Sequence, residues 1–329
     1  MKPKISDVAK VAGVSPTTVS RVLNNRGYIG EETRKKVNDA MKELNYYPND
    51  IARSLYIKKT FLIGVIFPTT GNPFYGQLIF HLENYANSLG YKVLLCNSQG
   101  REDKEKSYLH MLQRNQVDGI IAGAHNRGIE EYDIPNLPVV GFDRYLSKNT
   151  PVISSDNYEG GKQATQLLLD KGCSKIIHIN GPIDLETPAN LRRTAYEDVL
   201  RDNNMLPITY ETEWANEEVI RRLFDEHPDC DGIFASDDMI ASVVLREAKK
   251  RKISTPNQLK VIGYDGTETI RTLLPELSTV EQPIKGIAEK AVDLLIKQID
   301  GAWNGDQLEY TLPVKLIDSE TTSLQKGEK

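Results

Sequence analysis

Residues 6–24 read SDVAKVAGVSPTTVSRVLN and carry the start and stop signals of two short helices. Ser6 suits an N-cap, because its hydroxyl oxygen can accept a hydrogen bond from a backbone N–H of the first turn. Gly13 can adopt the left-handed backbone that ends such a helix. Ser15 is a second candidate N-cap, and Pro16 suits the first helical position because it needs no N–H. Two short helices joined by a tight glycine-containing turn indicate a helix-turn-helix.

The second of these helices is predicted from Pro16 to about Leu23 and has a polar face. Small hydroxyl groups at its start suit close approach to phosphates and thymine methyl groups, and Arg21 can donate two hydrogen bonds to a guanine. That contact discriminates between bases by about 1–3 kcal/mol. The alternative is an ordinary helical hairpin with a solvated face. A third helix is predicted over about Glu31 to Leu44. We expect a DNA-binding surface formed by Ser6, Ser15, Pro16, Thr17, Thr18, Ser20, Arg21, Asn24 and Tyr28.

The charge distribution separates this head from the rest of the chain. The 329 residues have a formal net charge of −5, which by itself argues against a nucleic-acid-binding protein. Residues 1–60, however, hold 12 basic and 6 acidic side chains, so the remainder has a net charge of −11. A basic head on an acidic body predicts a polyanion-binding module attached to a domain with another role.

The chain lacks the marks of export, membrane insertion or metal binding. No apolar run follows the basic start, and no stretch approaches about 18 consecutive apolar residues. The three cysteines, Cys96, Cys173 and Cys230, are far apart and do not have metal-ligand spacing. We therefore expect a cytoplasmic protein with buried free thiols, no metal, no cofactor and no membrane contact.

From Phe61 onward, short apolar runs alternate with helical stretches. Continuous apolar strands separated by helices indicate a doubly wound parallel sheet, and a body of this size favours two such lobes. The predicted strands are 62–67, 92–96, 119–122, 138–142, 175–179, 232–235 and 260–264. Ligands of such sheets bind at the carboxyl ends of the strands.

Polar and aromatic side chains follow several of these strands, among them Phe74, Asp143, Ser236, Asp237 and Asp265. Carboxylates and guanidinium groups bind vicinal hydroxyls, and an aromatic ring covers the apolar face of a sugar ring. The strand ends therefore predict a polyol pocket. For Asp237, a helix N-cap is an equally good interpretation.

Residues 7–22, with their DVAxxAGVSxxTVSRV pattern, and the LNYxPN and ARSL motifs that follow, resemble the headpiece of the LacI/GalR family of bacterial repressors. The resemblance implies an all-α headpiece over residues 1–48 and a hinge helix and linker over 49–60. It also implies a periplasmic-binding-protein-like effector and dimerisation domain over 61–329. The N-lobe would comprise about 61–157 and 285–316, and the C-lobe about 158–284 and 317–329. In the hinge, the resemblance implies minor-groove contacts by Asn49, Ala52, Arg53 and Leu55, with Leu55 as the apolar wedge.

The same resemblance implies an effector pocket formed by Phe74, Asp143, Arg192, Trp214, Ser236, Asp265 and Gln282. The family usually has glycine where Ala195 stands, which leaves the choice between Arg192 and Arg193 open. Stretches such as residues 154–161 and 262–267 are most similar to the sucrose-operon repressors within the family.

These features predict a homodimeric repressor that binds a near-palindromic operator and is released by a small sugar. The alternatives are a corepressor-dependent regulator or one that responds to ribose, maltose or fructose. More distant alternatives are an exported sugar-binding protein or a sugar-converting enzyme. The residues Gly160-Gly161-Lys162 resemble only the end of a phosphate loop, and no catalytic motif accompanies them. The tail after Ile317 has no heptads, so a dimer is preferred to a tetramer.

Overall fold

The computed structural model describes residues 3–47, 59–114, 116–123, 129–133, 138–183, 188–212 and 215–323. By its internal contacts the chain divides into two compact units, one ending at Phe61 and the other beginning at Leu62. Among the described residues, no helix is long and apolar enough to cross a membrane.

The first unit contains three helices: α1 (Ile5–Ala12), α2 (Pro16–Leu23) and α3 (Glu31–Glu43). Each helix contributes one fully buried valine, Val8, Val19 and Val37 respectively, to a small common core. Since α1 and α2 are joined by a tight turn, the helix-turn-helix predicted from the sequence is confirmed.

The caps of these helices explain their boundaries. Gly13 has a φ of 66°, and the Ser15 hydroxyl accepts a hydrogen bond from the Thr18 backbone N–H at 3.1 Å. The prediction that Ser6 caps α1 is wrong. The Asp7 carboxylate accepts the backbone N–H of Lys4 at 2.8 Å, so the helix begins before Ser6, which lies exposed in its first turn.

One lobe of the second unit is built on a six-stranded sheet. Its elements in chain order are β1 (Leu62–Phe67), α4 (Pro73–Ser88), β2 (Lys92–Asn97), α5 (Glu102–Gln113), β3 (Gly119–Ala122), β4 (Val139–Phe142), β5 (Val152–Ser155), α11 (Ile284–Ile299) and β11 (Glu309–Leu312). The strands lie in the order β11-β5-β4-β3-β1-β2, and every neighbouring pair is parallel. Strands β1, β3 and β4 are almost wholly buried, as expected when helices cover both faces of a sheet.

The other lobe has a second six-stranded sheet in the order β12-β10-β9-β8-β6-β7. Its pairs are parallel except that β12 is antiparallel to β10. Its elements are α6 (Asn157–Asp170), β6 (Ile176–Asn180), α7 (Leu191–Asp202), β7 (Ile208–Glu211), α8 (Glu217–Glu226), β8 (Gly232–Ala235), α9 (Asp238–Lys250), β9 (Lys260–Asp265), α10 (Glu268–Leu273), β10 (Ser278–Glu281) and β12 (Lys315–Ile317). The predicted two-lobed, doubly wound architecture is confirmed.

The chain passes between the lobes three times: after β5, after β10 and after β11. The third passage lies at residues 313–314, earlier than the boundary after residue 316 that the sequence suggested, because β12 already belongs to the second sheet. Each of the three passages begins at the carboxyl end of a strand: β5 and β11 of the first sheet and β10 of the second. Side chains that follow β5 and β10 are therefore placed between the lobes.

Candidate functional site

Most residues of the DNA-binding surface predicted for the first unit lie on α2 and in the segments that flank it. Ser6, Ser15, Pro16, Thr17, Arg21 and Tyr28 are exposed, whereas Thr18, Ser20 and Asn24 are half-buried. Thr17 and Arg21 are one helical turn apart and thus share the exposed face of α2. The predicted hinge residues Asn49, Ala52, Arg53 and Leu55 lie outside the described residues.

Two of the half-buried polar side chains organise α2 itself. The hydroxyls of Ser15 and Thr18 are 2.8 Å apart, and the Asn24 side-chain amide donates to the Ser20 carbonyl oxygen at 2.9 Å. These local hydrogen bonds fix both ends of α2. They leave Thr17 and Arg21 as the side chains best placed to reach base edges.

In the second unit, hydrogen bonds bring together polar side chains at the strand ends of both lobes, and this region is called the cleft. Phe74 is the second residue of α4 after β1, and its ring stacks on that of Phe142 with the centroids 5.5 Å apart. Asp143 follows Phe142 directly, after the end of β4. In the other lobe, Ser236 follows β8, Asp265 is the last residue of β9, and Gln282 follows β10. Trp214 lies outside the described residues.

Arg192, the second residue of α7, is the buried cation of this cleft. Its Nε donates to the Asn157 side-chain oxygen at 2.7 Å, and one terminal nitrogen donates to the Ser236 carbonyl at 2.7 Å. The guanidinium carbon lies 3.6 Å from the centre of the Tyr264 ring, which is a cation–π contact. Arg193 instead pairs with Glu197 and Glu211 on the surface. Of the two arginines, Arg192 is therefore the buried one that contacts the strand ends.

Three carboxyl groups lie around this cation: Asp265 is buried, and Asp143 and Asp237 are half-buried. Burial raises the pKa of Asp143, Asp237 and Asp265, and the charge of Arg192 opposes the rise in each case. Among the residues that the structure describes, no carboxylate lies within ion-pairing distance of Arg192. The carboxyl oxygens therefore do not form a direct ion pair with the guanidinium, and hydroxyl groups of a ligand are suitable hydrogen-bond donors to them.

The backbone of the two lobes is unusual where Asp143 and Asp265 stand. Asp143 has a φ of 49° and Asp265 a φ of 116°, both in the region that side chains rarely adopt. Such conformations cost about 1–3 kcal/mol each and concentrate at ligand sites. The Gln282 side-chain amide donates to Asp265 Oδ1 at 2.7 Å and fixes the direction of that carboxyl group.

Asp237 is the N-cap of α9, because its carboxylate accepts the backbone N–H of Ile240 at 2.7 Å. The cap interpretation is therefore correct for one of its oxygens. The next residue, Asp238, is also buried; it accepts from the Thr279 hydroxyl at 2.6 Å and from the Gly266 N–H at 2.8 Å. Burial raises the pKa of Asp238 to about 7. This carboxyl group ties the start of α9 to the turn after β9.

Two glycines of α6 allow these side chains to come together. A Cβ on Gly160 would stand 2.4 Å from the Tyr264 hydroxyl oxygen, and one on Gly161 would stand 2.6 Å from the Arg192 carbonyl oxygen. Gly160 and Gly161 therefore lie inside helix α6, where it packs closely against Tyr264 and Arg192. Gly160-Gly161-Lys162 is not the end of a phosphate loop.

The sequence did not single out Asn157, Ser155, Tyr75 and Tyr264 as site residues. Tyr75 is half-buried beside Phe67 and Phe74, and desolvation together with the charges of Asp143 and Asp265 raises its pKa. Ser155 ends β5 and Asn157 begins α6 after it; β5 was not predicted as a strand. The pair Asp156 and Glu159 has the spacing of a capping box, and this could have marked the start of α6 there.

The acidic side chains of the segment 225–229 are engaged with neighbouring side chains. Asp225 pairs with Arg251, Asp229 with Lys175, and Glu226 accepts from the Tyr210 hydroxyl. Over the described parts of the chain, no group of three or more metal-ligating side chains is present.

Comparison with known protein families matches two segments of the chain. Residues 4–49 match the family described as bacterial regulatory proteins, lacI family. Residues 165–322 match the periplasmic binding protein-like domain.

The chain is similar to the sucrose operon repressor of Pediococcus pentosaceus, with 49% identity over 322 residues that cover 96% of this chain and 98% of that protein. Its fold is similar to the Lac repressor dimer bound to operator and the anti-inducer ONPF, with a TM-score of 0.86 and 27% identity, covering 98% of this chain and 99% of the other. A LacI transcriptional regulator from Alkaliphilus metalliredigens QYMF complexed with D-xylulofuranose is 36% identical, with a TM-score of 0.73, and covers 80% of this chain and 99% of the other.

Proposed function

The chain belongs to the LacI family of bacterial regulatory proteins, and from this premise we propose that it represses a sugar-utilisation operon and is released from its operator by a sugar. The observation that carries the proposal is the cleft in which Arg192, three acidic side chains and aromatic rings meet at the strand ends. It is joined in one chain to a helix-turn-helix. A sugar sensor and a DNA-binding head together make a regulator rather than an enzyme, and such a regulator acts in the cytoplasm on chromosomal DNA.

The assignment of roles follows the residue order of the chain. Residues 1–48 are proposed to bind an operator half-site, residues 49–60 to form the hinge, and residues 61–329 to bind the effector and the second subunit. Ligand binding between the lobes changes their angle and hence the spacing of the two hinges in a dimer. Because such coupling is reciprocal, DNA and sugar each weaken binding of the other, typically by about 1–3 kcal/mol.

Sucrose, or the fructofuranosyl part that it contains, is the effector we propose. The name of the Pediococcus relative supports sucrose, and the xylulofuranose complex of the Alkaliphilus relative supports a furanose ring. The cleft itself suits an uncharged polyol. Its carboxyl groups can accept hydrogen bonds from hydroxyl groups, and its guanidinium can donate hydrogen bonds to them. Phe74 and Tyr75 are the aromatic side chains of the cleft.

A second copy of the chain is the partner proposed for an apolar surface on the first lobe. Phe80 on α4 is 62% exposed, and Leu94 and Leu95 on the edge strand β2 are 36% and 44% exposed. Exposed apolar side chains of this size are candidates for an interaction surface when they form a contiguous patch. A two-fold dimer would present two headpieces to the half-sites of a near-palindromic operator.

The experiment that tests the function combines operator binding with a ligand screen. We expect sucrose or fructose, unlike ribose, maltose and the sugar phosphates, to raise the melting temperature, since a ligand of the native state stabilises it. The same sugar should release the protein from operator DNA in a mobility-shift titration. Sedimentation should give twice the 37.0 kDa of one chain. Tighter operator binding in the presence of the sugar would instead establish corepression, and a monomer mass would contradict the dimer.

Replacing Arg21 by alanine should relax specificity at one base pair of each half-site, because a base-reading arginine discriminates by about 1–3 kcal/mol. The measurement is the operator affinity of the variant across all substitutions of each half-site position. Lys36 on α3 pairs with Glu32 at the surface, so Lys36→Ala serves as the control and should leave the preference unchanged. Uniform weakening by Arg21→Ala on every sequence would identify a phosphate contact instead.

A further inference from the structure

Asn157 occupies the point where the chain passes from the first lobe to the second. It is the first residue of α6, directly after β5, and its side chain is buried. Its amide nitrogen donates to Asp143 Oδ1 at 3.1 Å, and its amide oxygen accepts from Arg192 Nε at 2.7 Å. Asp143 belongs to the first lobe and Arg192 to the second. One side chain thus contacts both charged partners across the cleft.

The chemistry of this bridge requires an amide. An amide has a donor at one end and an acceptor at the other, so it can satisfy a carboxylate and a guanidinium at once. A carboxylate at position 157 would face the negative charge of Asp143, and an apolar side chain would leave buried polar groups without this partner. The bridge also keeps Asp143 and Arg192 apart, so the two do not neutralise each other as a direct ion pair.

We propose that Asn157 is a positioning residue of the effector site, which holds Asp143 of one lobe and Arg192 of the other at the separation that a polyol spans. This inference rests on the effector site proposed above. It adds that the sugar contacts groups whose relative position is set at the passage between the lobes. Binding is thereby linked to the lobe angle through a single side chain.

The neighbouring passage has a similar arrangement. The Ser155 hydroxyl, which ends β5, lies 2.8 Å from Gln282 Oε1 and 3.3 Å from Asn157 Oδ1. Since a hydroxyl has one proton, the shorter contact is the hydrogen bond. Gln282 follows β10, and its side-chain N–H donates a hydrogen bond to Asp265. Two amide side chains at adjacent passages therefore hold two carboxyl groups of the cleft.

The first test measures sugar affinity. We expect Asn157→Ala to lower the affinity for sucrose or fructose at least about tenfold, since each lost hydrogen bond to a charged group contributes about 1.5–3 kcal/mol. Asn203→Ala is the control: Asn203 donates to the Val199 carbonyl at the far end of α7, so its loss should not affect sugar affinity.

The second test needs no effector and uses the pH dependence of the melting temperature. Burial raises the pKa of Asp143, while Arg192 and the hydrogen bond from Asn157 lower it. Removing Asn157 should therefore raise this pKa further. An acid whose pKa is higher in the folded than in the unfolded state stabilises the protein less as the pH rises through the two values. The loss caused by Asn157→Ala should therefore grow as the pH rises above the ordinary pKa of an aspartate, about 3.9.

A four-variant cycle isolates that effect. In an Asp143→Asn background, the loss caused by Asn157→Ala should be the same at every pH, because the titrating partner has been removed. The other titratable or charged groups that face this region stay constant through the cycle, and their contributions cancel; they are Arg192, Asp237, Asp238, Asp265, Tyr75 and Tyr264.

The outcomes are distinct. If neither sugar binds the unaltered protein while the pH cycle behaves as described, the proposed effector is wrong and the bridge stands. If the loss is independent of pH with Asp143 present, or equally dependent without it, Asn157 fills space only and the proposal is overturned. Unchanged sugar affinity in Asn157→Ala, with sugar binding to the unaltered protein, overturns it as well.

Discussion

Replacing Arg192 by methionine should lower the affinity for the sugar at least about hundredfold, a loss of about 2.7 kcal/mol or more, and leave a repressor that no longer responds. Methionine retains the apolar stem beside Tyr264 but removes every donor. The Ser236 carbonyl and the Asn157 amide oxygen would lose their buried partner. The acids of the cleft would also lose the charge that opposes the rise in their pKa values, so these pKa values should rise further.

Arg193→Met is the matched control for this prediction. The two arginines are adjacent in α7, but Arg193 pairs only with surface carboxylates, and exposed ion pairs contribute about 0–1 kcal/mol. Sugar affinity, measured by isothermal titration, should be nearly unchanged in Arg193→Met. Operator binding in the absence of sugar should persist in both variants. Equal losses in the two variants, or a full response in Arg192→Met, would remove Arg192 from the effector site.

The choice between these arginines shows what the sequence could and could not provide. The buried residues of α7 include Ala195, Tyr196 and Val199. Arg192 precedes Ala195, Tyr196 and Val199 by three, four and seven positions, which is the spacing of one helical face, whereas Arg193 has such spacing only from Tyr196 and the buried Leu200. The helical period therefore favours Arg192 as the buried arginine.

The strands likewise include some that the sequence predicted and some that it did not. Runs such as LIGVIF at 62–67 are apolar throughout, because a central parallel strand is buried on both faces, and these were predicted. Strands β5 and β10, with the sequences VISS and STVE, are also buried but half polar. The Ser155 hydroxyl of β5 donates to Gln282, and the Thr279 hydroxyl of β10 donates to Asp238. Because these two strands contain polar residues, their composition did not predict them as buried strands.

The bridge between Asp143 and Arg192 could not be predicted from spacing. Fourteen residues separate Asp143 from Asn157, and 35 separate Asn157 from Arg192. Only the crossing of the chain between two sheets brings them together. Local patterns specify helices, caps and apolar strands, whereas contacts between lobes depend on the tertiary arrangement.

Gly161→Ala should destabilise the second unit by about 3 kcal/mol, although alanine is the better helix former. In a helix interior, replacing glycine by alanine stabilises by about 1 kcal/mol when space permits. At Gly161 space does not permit it: the new Cβ would lie 2.6 Å from the carbonyl oxygen and 2.8 Å from the Cα of Arg192. Both atoms belong to the backbone of α7, so no rotamer change relieves the clash and the two helices must separate.

Gly76→Ala on α4 provides the control of opposite sign. It is also a helical glycine, but the nearest atom to its new Cβ, the Thr70 carbonyl oxygen, is 3.9 Å away. We expect a gain of up to about 1 kcal/mol there, measured by denaturant unfolding of the two variants side by side. Because the displaced atoms of Gly161→Ala are those of Arg192, its sugar affinity should fall together with its stability. A stable Gly161→Ala protein that binds sugar normally would mean that α6 and α7 are not in close contact at this point, and that Arg192 does not depend on it.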